Sequence, residues 1–212
     1  MKQKTPYNYC DGRCDRCELT KDCTVYKDIQ TSRLKNIMRG RDPDDMEVVL
    51  EEVGDSFKKA HEIMKKACEE QGLSWEEIEE GAKTMPDMPD FRDDPTFKLG
   101  NSFCKKAHEF LEWSKENLII TPEIEEHFRE LDYYHMLIPA KLARMSRMDS
   151  FDDDDLSKEA GRLTADVIYK AIRICDESLS KIAFYRSQSS SRVQTLRDRL
   201  VELKNKVSAN IE

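Results

Sequence analysis

Seven residues between 124 and 145, Ile124, Phe128, Leu131, His135, Ile138, Leu142 and Met145, recur at alternating steps of four and three. Only a helix brings that spacing onto one line, so this stretch must present an apolar stripe to a packing partner. Comparable stripes fill most of the chain. They comprise Met46, Val49, Leu50, Val53, Phe57, Ala60, Met64 and Ala67; Leu99, Phe103, Ala107, Phe110 and Leu111; and Val193, Leu196, Leu200, Leu203 and Val207. A further stripe, Leu156, Ala160, Leu163, Val167, Ala171, Ile174, Ser178 and Ile182, is widened by a second line through Ile168, Ile172, Cys175 and Leu179. A helix with so broad an apolar face is covered on more than one side.

Start and stop signals frame these stripes. Asp42-Pro43 and Asp94-Pro95 each read as a capping residue followed by proline at the first helical position, Thr121-Pro122 opens another helix, and Ser74 to Glu77 has the form of a capping box. The acidic run Asp152 to Asp155 suits a helix start, because negative charge favours the positive end of the helix dipole, and it lacks the ligand spacing of a calcium loop. Gly72, Gly81 and the segment Gln188 to Ser191 read as stops, and Thr84 to Asp94, with Pro86 and Pro89, as a connecting loop. No segment alternates with the period of two that a strand requires. The expected fold is all-α: a helical bundle of four or five long helices over residues 41–212. Residues 1–40 form a cysteine-rich metal-binding segment with a short docking helix over 24–39. The last helix either packs on the bundle or zips to a second copy.

Composition narrows the class of function. Charged residues make up 37% of the chain and the net charge is -8, the profile of helices with solvated faces. Such an acidic chain lacks the basic surface that bulk nucleic-acid binding needs. No apolar run approaches the length of a membrane span. Residues 1–25 carry no apolar export signal, which places the chain in a reducing cytoplasm.

The segment least explained by a bundle is Cys10-Asp-Gly-Arg-Cys14-Asp-Arg-Cys17-Glu-Leu-Thr-Lys-Asp-Cys23. Thiols this dense in a polar loop have no apolar core to fill, which leaves metal ligation or disulfides, and the cytoplasmic setting disfavours disulfides. The two-residue gap from Cys14 to Cys17 lets one turn aim two sulfurs at one ion, while Cys10 and Cys23 close the shell from either side. Arg13, Arg16 and Lys21 place positive charge beside the thiolates that a metal needs. Structural zinc sites usually separate two Cys-x2-Cys pairs by a dozen or more residues. The crowding here leans towards a 4Fe-4S cluster, with zinc as the alternative. Cys68, Cys104 and Cys175 read as small apolar groups.

Cys10, Cys14 and Cys17 resemble the cluster motif of radical S-adenosylmethionine enzymes. The resemblance ends there, because this chain supplies Cys23 as a fourth thiol and has no strand-helix alternation. Tyr9-Cys10, Cys14, Arg16-Cys17 and Thr20 to Cys23 followed by Tyr26 resemble the opening of a family of uncharacterised bacterial proteins with an N-terminal Cys-x3-Cys-x2-Cys-x5-Cys motif. That resemblance covers about the first 26 residues and implies no activity.

The histidines supply a rival reading. Lys58-Lys59-Ala60-His61-Glu62 recurs as Lys105-Lys106-Ala107-His108-Glu109, each inside a long helix. Asp132 and His135 stand one turn apart, the spacing that di-metal carboxylate bundles use. Pro139, which has no N–H to donate to the carbonyl of His135, marks that turn further. His127 falls among Glu123, Glu126 and Glu130, beside the stripe that holds His135. Arg129 with His135 resembles the loose motif of the higher eukaryotes and prokaryotes nucleotide-binding family, but six residues apart on a helix is not one face. The leading expectation is a cytoplasmic metal-binding helical protein whose ligands are Cys10, Cys14, Cys17 and Cys23. The site is structural or redox-sensing, and the bundle binds a protein partner or forms a homodimer through the C-terminal helix. The rival is a di-metal helical-bundle enzyme using His61, His108, Asp132 and His135.

Overall fold

A computed structural model describes residues 10–84, 90–148 and 155–209, and the described residues form helices with no strand. Seven α-helices occur: α1 (Thr24–Met38), α2 (Met46–Glu70), α3 (Trp75–Thr84), α4 (Pro95–Asn117), α5 (Pro122–Met148), α6 (Asp155–Tyr185) and α7 (Ser190–Ala209). Residues 85–89 of the expected loop at Thr84–Asp94, and Asp152 to Asp154, lie outside the described residues. By spatial contact the chain divides into two compact units, Met1–Gly12 with Met88–Glu212, and Arg13–Asp87.

The larger unit is built around α5. All seven residues of its stripe are buried, His135 among them. Helix α4 covers one side, α6 covers another, α7 packs on α6, and α7 closes the ring against α4. Asp94 caps α4 as its sequence predicts, its carboxylate accepting from the backbone N–H groups of Thr96 and Phe97, both at 2.7 Å. Gly100 lets α4 approach α5, since a Cβ there would collide with the Leu142 side chain. On α6, the second line Ile168, Ile172, Cys175 and Leu179 is buried together with Val167, Ala171 and Ile182, because α6 faces both α5 and α7. Burial also pushes the Cys175 thiol strongly up, so this cysteine is a core group and not a reactive one. At one end the Arg186 guanidinium donates to the Ile119 carbonyl and Gln188 donates to that of Asn117, tying the α4–α5 connection to the α6–α7 connection. The α7 stripe Val193, Leu196, Leu200, Leu203 and Val207 is consumed inside this bundle.

The smaller unit follows the expected helices but not the expected core. Ser74 and Glu77 make the reciprocal capping box, with bonds of 3.3 and 3.1 Å. Helix α2 begins at Met46, not after Asp42-Pro43. The Asp42 carboxylate closes a turn on the Asp44 N–H, and Asp45 takes over as the cap by accepting from Glu47. The expected α2 stripe is exposed: Met46, Val49, Leu50, Val53, Phe57 and Met64 all face solvent, and Val48 is the one buried residue of the helix. Its flanks are engaged, Glu52 accepting from Ser32 and Asn36 on α1 and His61 meeting the Trp75 ring edge-on.

His135 is a buried imidazole whose Nδ1 lies 2.9 Å from the Leu131 carbonyl oxygen. A carbonyl only accepts, so Nδ1 carries a proton. Burial holds its pKa below the ordinary value of 6.5, the Leu131 carbonyl and the Asp132 charge opposing that shift and His108 adding to it. The folded protein thus binds this proton less tightly than the unfolded chain does. Its contribution to stability is unchanged above about pH 6.5 and is lost as the pH falls from there through the lower folded value. The expected result is a drop in the urea midpoint between pH 7.5 and 5.5 that is smaller in His135→Leu. Equal drops in both proteins would refute it.

Candidate metal centre

The first three described residues belong to the larger unit, and they are held tightly. Asp11 accepts at its backbone oxygen from the Tyr133 hydroxyl (2.5 Å) and at its carboxylate from the Tyr134 hydroxyl (2.7 Å). The same carboxylate pairs with Lys170 of α6 at 2.5 Å, and its side chain is only 11% exposed. Gly12 adopts φ +79°, a conformation that disfavours side chains, and a Cβ there would also strike the Tyr133 hydroxyl. Its N–H donates to the Cys10 sulfur at 3.3 Å. A further cation faces this segment. Lys141 is half-buried; burial and the Arg144 charge push its pKa down, while the charges of Cys10 and Asp11 pull it back up. One aspartate thus fastens the backbone beside Cys10 to α5 and α6.

Cys14, Cys17 and Cys23 belong to the smaller unit. A single 3-10 turn, Cys14–Arg16, separates the first two, closed by the Cys17 N–H on the Cys14 carbonyl at 3.4 Å. Arg13 forks onto Asp15 at 3.0 and 2.8 Å, a bond that holds the Asp15 carboxyl down to about 2. Arg13 charge is therefore directed at a carboxylate. Cys23 caps α1, its sulfur accepting from the Tyr26 N–H at 3.5 Å, where helix N–H groups point outwards without intrahelical partners. None of the seven cysteines is disulfide-bonded, and the four in the loop are all half-buried. Among the described residues, no three His, Cys, Asp or Glu side chains converge as a ready-made ligand shell. The donor set nevertheless fits a thiophilic metal in kind: four free thiols, two of them already accepting the N–H···S bonds that support metal-bound sulfur.

The histidine constellation is only half brought together. His108 and His135 stack at 6.2 Å between ring centres, while Asp132 points to solvent and His61 belongs to the other unit, against Trp75. Asp132 and His135 stand one turn apart yet face opposite environments, because only His135 lies on the buried stripe. Arg129 pairs with Glu125 and Glu126 on the outside of α5, away from the buried His135. Glu130, next to the half-exposed His127, is buried despite its charge. The anchoring residues Asp11, Gly12, Tyr133, Tyr134, Lys141 and Lys170 carried one visible signal, the Asp-Gly turn between two cysteines. The Tyr133-Tyr134 pair was indistinguishable from ordinary helix.

Comparison with protein-family models, curated proteins and solved structures finds no match to this chain. Removing the anchor is expected to free Cys10. Asp11→Ala removes the carboxylate that accepts from the Tyr134 hydroxyl and Lys170, so maleimide labelling of Cys10 in metal-free protein, mapped by mass spectrometry, rises several-fold while that of Cys175 does not. Unchanged labelling of Cys10 would show that the anchor holds nothing in place.

Proposed function

We propose that this chain is a metal-binding helical protein in which Cys10, Cys14, Cys17 and Cys23 hold one 4Fe-4S cluster or zinc ion. The site has a structural or redox-sensing role, and the helical bundle is its partner-binding body. The observation that carries this reading is the fastening of Asp11. Three side chains from two bundle helices, and a glycine that tolerates no substituent, fix the backbone beside Cys10. Ordering a surface segment costs roughly 1 to 2 kcal/mol per residue, a cost that a purposeless tail does not bear. The two N–H···S bonds support the same reading, because they stabilise charge on sulfur. So does Lys141, whose positive charge faces the end of the loop that holds Cys10.

When bound, a cluster would supply a one-electron site and zinc a covalent-like crosslink. The residues' own part is plain in either case. The thiols ligate, Gly12 and Tyr26 donate N–H groups to sulfur, and Asp11 orients Cys10. Replacing Cys17 by Ser is expected to abolish stoichiometric metal in protein purified without oxygen, while the circular dichroism of the bundle is largely retained, since α4 to α7 have their own core. Iron with labile sulfide in the wild type identifies the cluster, and colourless protein with one zinc identifies the structural site. Stoichiometric metal retained by Cys17→Ser, or a wild type without metal, would overturn the proposal.

A further inference from the structure

Between α6 and α7 of the larger unit lies a cleft of 590 Å³, within the size range of small-ligand sites. Its floor is apolar: Ile172 and Leu200 are buried there, and Val201, 59% exposed, extends the apolar surface to the rim. Tyr169 lines one wall, its hydroxyl fixed by donating to Ser208 at 2.8 Å. Around this floor stand three cations, Lys170 and Arg173 from α6 and Lys204 from α7, with one carboxylate, Asp176. The carboxylates on the same side of α6 are already committed. Asp176 accepts from Arg197 at 2.6 and 3.3 Å, Glu177 pairs with Arg173 at 3.1 Å, and Asp166 pairs with Arg162 at 3.8 Å. On α7, Glu202 is two residues before Lys204 and so sits on another face of the helix. Lys204 forms no ion pair among the described residues. The Arg173–Glu177 pair is more than half exposed on both sides, so it is weak and readily exchanged. Lys170 has two roles: it lines the cleft, and it pairs at 2.5 Å with Asp11, the residue that fastens the backbone beside Cys10.

We propose that this cleft binds a small organic anion, a phosphate or carboxylate carried on an apolar body, and that the anion competes with Asp11 for Lys170. The apolar body covers Ile172, Leu200 and Val201. The anionic group meets Lys204 and Arg173, and also Lys170 as it leaves Asp11. An apolar ligand alone would bury the Lys204 charge unpaired, and a bare phosphate would leave the floor uncovered. Since Asp11 and the anion share one lysine, each weakens the other's hold on it by the same factor. Occupancy of the cleft therefore loosens the anchor of Cys10. The inference needs no metal and stands apart from what the thiols bind.

The test uses phenyl phosphate as the probe, titrated into the full-length chain and followed by backbone amide chemical shifts. Saturable shifts centred on residues 169–176 and 200–204 are expected, with inorganic phosphate binding at least about tenfold more weakly. Lys204→Glu is expected to weaken phenyl phosphate at least about tenfold, while Lys105→Glu, the same charge change on α4, leaves its affinity within about twofold. Asp11→Ala is expected to tighten binding about threefold or more, and to have no effect in a Lys170→Met background, because the competition needs both partners. A general charge effect would persist in that background. No saturable shift at these residues, an affinity indifferent to Lys204→Glu, or inorganic phosphate bound as tightly would each overturn the proposal. So would an Asp11→Ala gain that is absent, or that survives in Lys170→Met.

Discussion

Everything in the larger unit depends on burial of the α5 stripe. Seven residues at steps of four and three are sealed by α4 and α6, and α7 can close the ring only because those three helices already present a continuous apolar surface. Fully burying side chains of this size is worth roughly 1.5 to 3 kcal/mol each. The same packing fixes the opposite edge of the helix. Tyr134 is fully buried, and its hydroxyl donates to the Asp11 carboxylate. The anchor for the cysteine loop is a by-product of a core that leaves two tyrosine hydroxyls aimed outwards.

The smaller unit is organised on different terms. Its three helices have good caps and ion pairs, but among the described residues they bury only Asn36 and Val48, far less than an independent domain of that length needs. Surface ion pairs such as Arg33 with Asp44 add little. A unit of this kind draws stability from staples outside a core, and its sequence offers thiols suited to a metal.

Most of the bundle was legible because its stripes are long and its caps explicit. The limits of α4, from Asp94-Pro95 to Asn117, and the buried line of α6 through Ile168, Ile172, Cys175 and Leu179 follow from period and punctuation alone. The same periodicity misled at α2, since a pattern of four and three announces an apolar face without saying which surface covers it. It also missed the start of that helix, because three aspartates in four residues offer competing caps and the side chain of Asp42 closes a turn. Among the site residues, the cysteines are visible as chemistry. Asp11 and Gly12 are not, because their importance arises from Tyr133, Tyr134 and Lys170, more than a hundred residues away in sequence. The histidine echo was visible and mostly empty, because helix spacing cannot reveal that Asp132 faces water while His135 is sealed.

The central claim is that one metal is held by the thiols of the N-terminal loop rather than by bundle histidines and carboxylates. X-ray absorption at the edge of whichever metal accompanies protein isolated without oxygen tests this directly. Four sulfur neighbours at about 2.3 Å are predicted, with an additional iron shell if the metal is a cluster. A first shell of nitrogen and oxygen would contradict the account.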